Sequence, residues 1–193
     1  MTSVFVLCFA AYVVGSIPTG ALVARARGIE IRAVGSGNIG ATNVGRALGK
    51  RWGVLVLILD ALKGFAPVFV GRRFLELAPV MVAAAGLCAV VGHMFTVFLR
   101  GRGGKGVATS LGVALALSPT AGLAGFGIYV LAYAVTRISS VGSLLGVCSF
   151  PFFAWACGVD PVYISLGGLV ATLVAVRHSE NIRRLIRGEE KRS

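Results

Sequence analysis

The chain has 193 residues, 56% of them hydrophobic and only 13% charged, with a mean hydropathy of +0.87. Soluble domains carry roughly 45–50% apolar and about 25% charged residues, so a chain clothed in water on all sides is excluded, and so is disorder, which needs polar or strongly charged sequence. Nineteen Lys and Arg against seven Asp and Glu give a net charge of +12, but the cations are scattered between apolar runs with no soluble basic domain, so the expected partners are membrane lipids and phosphorylated molecules, not nucleic acid.

A membrane-crossing helix takes about 20 mostly apolar residues. The first such run is 2–24; it has no basic region ahead of it and is followed by Arg25 and Arg27, so it reads as a retained span rather than a signal peptide. Next comes a polar loop, Gly35-Ser36-Gly37-Asn38-Ile39-Gly40-Ala41-Thr42-Asn43-Val44-Gly45-Arg46. Its glycines let successive backbone N–H groups converge on an anion. Ser36, Asn38, Thr42 and Asn43 add neutral hydrogen-bonding groups, and Arg46 a charged planar fork. The competing reading is a flexible connector, which would not gather so many polar groups between glycines. No Gly-Lys-Ser/Thr closes the loop, so it is not a Walker loop.

Spans follow at 52–70 and 76–99. Asp60 and Lys63 lie three residues apart inside the former and are expected to neutralise each other, because intramembrane charges are costly unless paired. His93 in the latter is expected to be a hydrogen-bonded structural residue. A second polar loop, Arg100-Gly101-Arg102-Gly103-Gly104-Lys105-Gly106, opens the next helix. Arg100 and Arg102 fit a basic anchor; Lys105 between glycines, at a helix N-terminus, fits a phosphate ligand better.

The stretch 107–136 is too long for one span, since thirty residues of helix reach about 45 Å against a core of ~30 Å. Ser118-Pro119 divides it into a short span, 107–117, and a longer one, 119–136, because proline favours the first turn of a helix. Arg137 to Ser143 lead into a span at 141–157; Ser139 or Ser140 is a candidate helix cap, and Ser143 lies about one turn inside. After the last span, 161–177, Arg177-His178-Ser179-Glu180-Asn181 places His178 and Asn181 three apart, on one side of a helix. Imidazole is a natural proton acceptor near neutral pH. Cys8, Cys88, Cys148 and Cys157 have no CxxC spacing and read as small packing residues.

Charge counting tests the division. Seven spans with the N-terminus outside and the C-terminus inside put 16 cations on the inner face, leave Arg72 and Arg73 outside, and keep Lys63 within a span. Six spans divide the cations 9 to 9. The bias toward cytoplasmic Lys and Arg selects seven. The expected fold is therefore a single all-α domain over 1–193, a polytopic membrane protein whose polar segments all fall on the inner face. Transporters more commonly hold their polar groups at midplane, yet an organophosphate or anion transporter with these loops as its vestibule stays open as the alternative.

Three segments, GSGNIGATNVGR at 35–46, GHMFTVFLRGRGGKGVAT at 92–109 and RHSENIRRL at 177–185, resemble the bacterial acylphosphate-dependent glycerol-3-phosphate acyltransferases. The likeness extends to length and span number. Thr96 stands where that family usually has proline, Gly101 where an aromatic is usual, Gly45 where leucine is common and Ser179 where a larger residue is frequent. The resemblance implies transfer of a fatty acyl group from acyl phosphate to the 1-hydroxyl of glycerol 3-phosphate at the cytoplasmic face of the bacterial inner membrane. Lysophosphatidic acid and phosphate would be the products, without metal or cofactor, and the enzyme that makes acyl phosphate would be a partner. It also implies that Ser36, Gly37, Asn38, Gly40, Thr42 and Asn43 take the acyl-phosphate head, and that Arg46 and Lys105, with Gly103 and Gly104, meet phosphate charge. Ser143, His178 and Asn181 would hold glycerol 3-phosphate, the proton going either to His178 or to a substrate phosphate.

Overall fold

The computed structural model describes residues 2–190 and 192. Among them the chain forms ten α-helices and two single 3-10 turns, with no strand. The first expected span is divided: α1 (Thr2–Ser16) and α2 (Thr19–Ala26) meet at a break at Ile17-Pro18. Proline removes a backbone donor there. The carbonyls freed by the break are taken up inside the protein, Ile17 O by Lys63 Nζ at 2.7 Å and Ser16 O by the Thr96 hydroxyl. A broken helix at membrane depth persists only when its backbone is re-satisfied in this way.

A short helix, α3 (Ala41–Leu48), and a long one, α4 (Lys50–Arg73), follow, then α5 (Pro79–Met94). The division at Ser118-Pro119 is realised as α6 (Val107–Leu117) and α7 (Pro119–Thr136), with the Ser118 hydroxyl accepting from Ala121 N at 3.3 Å. Next are α8 (Ser139–Ala156), α9 (Pro161–Arg177) and α10 (Ser179–Ile186), the last two bent by 64° at His178. Among the described residues, five segments are long and apolar enough to cross a membrane, and the bent pair α9–α10 makes a sixth.

Close helix contacts rest on glycine. A side chain on Gly15 or Gly92 would collide with the opposing backbone between α1 and α5, and one on Gly112 would meet Ala61 O of α4. The contact between Gly64 and Thr109 sets the start of α6 beside the middle of α4. Its far end meets the C-terminus of α4, where Arg72 donates to Ala116 O and Leu117 O at 2.7 and 2.6 Å. The eleven residues of α6 reach only about 16 Å, so the loop before it descends roughly half the length of α4. The second polar loop, exposed at Arg100, Gly101 and Arg102, thus runs into the protein at Gly104, Lys105 and Gly106.

Candidate active site

The first loop is built around Asn43, which is 2% exposed. Its Nδ2 donates to Ile31 O, Val34 O and Asn38 O at 3.3, 2.9 and 2.9 Å, and its Oδ1 accepts from Ser36 N at 3.0 Å. The amide is consumed in holding the loop's shape. Gly35 has φ +62°, and a side chain there would strike Asn43 Oδ1, so both backbone and space demand glycine. With the loop braced, Ser36, Asn38, Gly40, Thr42, Asn43 and Arg46 border a cavity of about 800 Å³, which Gly37 does not line.

The second loop reaches the same cavity through Lys105 and Gly106. The N–H groups of Gly103 and Gly104 point away, donating to Met94 O and His93 O at 3.0 Å each. Their carbonyls accept from Arg177, at 3.2–3.3 Å. These two glycines are therefore a brace for Lys105 and do not line the cavity. Gly106 (φ +84°) turns the chain into α6. Burial pushes the Lys105 ammonium down to about 8, against an opposing pull from Glu190.

The third segment is not the straight helix face expected from spacing. His178 closes α9, its Nδ1 2.8 Å from Val174 O, and α10 leaves at an angle with Asn181 in its first turn. A carbonyl only accepts, so Nδ1 carries the proton and Nε2 keeps its lone pair. Burial lowers the ring to about 4, the bond to Val174 opposing and Lys105 reinforcing the shift. His178 is thus a neutral acceptor at pH 7. Asn181 Oδ1 accepts from Lys105 Nζ, joining second and third segments.

Ser139 and Ser140 do not cap α8; the residue at that position is Ile138, with no side-chain bond. Ser139 instead shares a 3.0 Å hydrogen bond with Thr42, tying α8 to the first loop, and Ser140 donates to Glu190 Oε1 at 2.8 Å. Ser143, one turn further, is buried and faces the cavity. Spacing alone did not single out Glu190, an acid in a basic tail that gathers Ser140, Asn181 and Arg184 Nε (2.6 Å to Oε2). Burial resists its ionisation, yet those three donors hold its carboxyl below the usual range. Away from these groups the cavity turns apolar, between Leu117, Gly125, Phe126, Phe150, Leu166 and Val170.

Hydroxyl, amide and cationic groups at one end, Arg46, Lys50 and Lys105 among them, with an apolar limb at the other, suit a phosphorylated molecule meeting a lipid tail. The family model for glycerol-3-phosphate acyltransferase matches residues 5–188. The chain belongs to that family. A glycerol-3-phosphate acyltransferase of Geobacter sulfurreducens is 48% identical, covering 100% of this chain and 98% of its own. One from Anaeromyxobacter sp. (strain Fw109-5) is 54% identical over 97% and 95%. The crystal structure of PlsY, an integral membrane glycerol 3-phosphate acyltransferase, in its glycerol 3-phosphate form superposes with a TM-score of 0.94 at 41% identity, covering 99% of this chain and 96% of that one. Its lysophosphatidic acid form gives 0.92 at 40%. Family membership decides against the transporter alternative and makes the chain an integral membrane acyltransferase.

Proposed function

We propose that this family member moves a fatty acyl group from acyl phosphate to the 1-hydroxyl of glycerol 3-phosphate, at the cytoplasmic face of a bacterial inner membrane. The observation that carries the reading is the meeting of Lys105 with Asn181 beside His178, in a cavity whose other limb is apolar. The first loop, with Arg46, would take the acyl-phosphate head; Lys105 would neutralise phosphate charge; Ser143, His178 and Asn181 would orient the acceptor. Gly37, Asn43, Gly103 and Gly104 would serve by holding these groups in place.

In the reaction the acceptor oxygen attacks the acyl carbonyl, the carbonyl–oxygen bond to phosphate breaks, and the hydroxyl proton leaves with the departing phosphate. No covalent enzyme intermediate and no cofactor is required, because acyl phosphate is already an activated anhydride. Catalysis then rests on alignment and on stabilising developing charge. A base works best with a pKa near the working pH. His178, held near 4, suits accepting a hydrogen bond from the hydroxyl, while a phosphate oxygen with a pKa of about 6 suits final proton capture.

Seven passes, N-terminus outside and C-terminus inside, are supported by the cation count and by the position of α6 beside the outer half of α4. Purified protein in detergent, given acyl phosphate and glycerol 3-phosphate, should release one phosphate per lysophosphatidic acid formed. Equal turnover with acyl-CoA at matched concentration would overturn the donor assignment.

A further inference from the structure

Behind the Lys105 loop lies a buried polar cluster that the acyl-transfer reading leaves unused. Asp60 Oδ1 accepts from the Thr19 hydroxyl and pairs with Lys63 Nζ at 2.8 Å. Lys63 Nζ also donates to Ile17 O and lies 3.2 Å from His93 Nδ1. Asp60, Lys63 and His93 are 1%, 6% and 5% exposed. Mutual neutralisation accounts for Asp60 and Lys63. His93 Nδ1 is the third acceptor for an ammonium that has three protons to place, after Asp60 and Ile17 O; the other ring nitrogen has no part in that account.

The hydrogen bonding fixes the ring's tautomer. An ammonium is a donor only, so Nδ1, close to Lys63, must present its lone pair. Asp60, the competing partner, is more distant from Nδ1 at 3.7 Å. The proton of a neutral ring therefore sits on Nε2. That nitrogen bonds to no described residue. It lies where a side chain on Gly104 would project, 2.2 Å from the position of the missing Cβ, and His93 lines the same cavity as Lys105. The carbonyl of Gly104 is already engaged by Arg177. Among the described residues Nε2 is not one of the fully enclosed polar atoms left without a partner, so its N–H opens to the cavity, where an acceptor oxygen of a ligand completes it.

We infer that His93 Nε2–H is a ligand of the substrate, donating to a phosphate oxygen held beside Lys105. Asp60 and Lys63 are positioning residues that fix its tautomer. What that phosphate belongs to rests on the acyl-transfer reading; the contact itself does not. The requirement for glycine at 104 follows from the same geometry, because any side chain there would cover the donor.

The chain has two histidines, so 15N-histidine labelling in lipid nanodiscs gives two ring systems, assigned through His178→Gln. The expected spectrum shows His93 protonated on Nε2, with the Nε2 resonance shifting on titration with inorganic phosphate. Removing one hydrogen bond to a charged group should lower kcat/KM about 10- to 100-fold in His93→Leu, whereas His93→Gln, which restores an N–H at similar reach, should recover most of it. An Nδ1-protonated ring, or an Nε2 resonance unmoved at phosphate concentrations that inhibit turnover, overturns the inference even if His93→Leu fails to fold. So does a folded His93→Leu with unchanged kcat/KM. Failure of wild-type protein to use acyl phosphate would instead defeat the acyl-transfer reading, leaving the phosphate titration to stand by itself.

Discussion

The ammonium of Lys105 donates to the side-chain oxygen of Asn181, 76 residues further along the chain. The other end of that amide donates to Glu190, which also holds Ser140 and Arg184. A cation at the mouth of α6 is thereby tied to the first turn of the last helix, α10, and through it to Glu190 beyond that helix. The tie leaves Lys105 a partner that carries no charge of its own, so its charge is available to a phosphate.

Lys105→Ala is expected to lower kcat/KM by at least about 100-fold in protein that still folds. A hydrogen bond to a charged group is worth about 1.5–3 kcal/mol, and a phosphate left unpaired in a shielded site adds to that. Steady-state assays on detergent-purified protein check it; near-wild-type activity would reduce the second loop to a basic anchor.

The pH profile follows from the same residue. Lys105 titrates at about 8 in the free protein, and only its ammonium form, present below that value, can meet a phosphate. The kcat/KM profile, which reports the free enzyme, should therefore fall as pH rises through about 8. In Lys105→Arg the guanidinium stays charged, so the alkaline limb should vanish even where the rate is lower. An alkaline limb unchanged in Lys105→Arg would assign it to another group.

His178→Gln separates the two fates of the proton. With the ring held near 4, it is already neutral at pH 5, and the acid limb should follow a phosphate ionising at about 6 in wild type and variant alike. Were His178 the base, the variant should lose about 10²–10⁴-fold, together with its acid limb. Asn181→Ala should impair binding of glycerol 3-phosphate; normal rates and pH profiles in both variants would leave this helix end as an anchor.

Thr96 offers a test of the broken first span. Its hydroxyl donates to Ser16 O, and its backbone sits at φ −62° and ψ 130°. Thr96→Val leaves a buried carbonyl without that donor and should cost about 1–3 kcal/mol. Thr96→Pro loses the same bond, but its ring fits this φ and restricts the unfolded chain, returning about 0.4–1 kcal/mol. Thermal unfolding in detergent should rank wild type above Thr96→Pro and Thr96→Pro above Thr96→Val.

Topology is checked separately. A reporter fused after Ser193 should be active only when read from the cytoplasm; activity of a periplasmic reporter there would remove the seven-span arrangement.

Much of this protein was legible in the order of its residues. Apolar run length marked the membrane segments, because hydrocarbon thickness fixes how much helix is needed, and Ser118-Pro119 marked the boundary of α6 and α7, because cap and proline chemistry are local. The three polar segments were visible for a similar reason: Ser, Asn, His, Arg and Lys, interleaved with glycine in the first two segments, have no use in an apolar helix. The break at Ile17-Pro18 was not legible, since a proline in an apolar run is tolerated or not according to whether something distant, here Lys63 and Thr96, satisfies the freed carbonyls. Nor was the division of labour within the loops. Asn43 and Asn38 are chemically alike and both border the cavity, but four hydrogen bonds to the loop backbone spend the buried Asn43 amide as a brace. Glu190 joined the site only through tertiary contact, and His93 acquired a defined tautomer only because Lys63, thirty residues earlier, meets its Nδ1. Local chemistry determines which groups are present; the packing of helices distant in sequence decides which of their atoms are spent on the fold and which are left for a substrate.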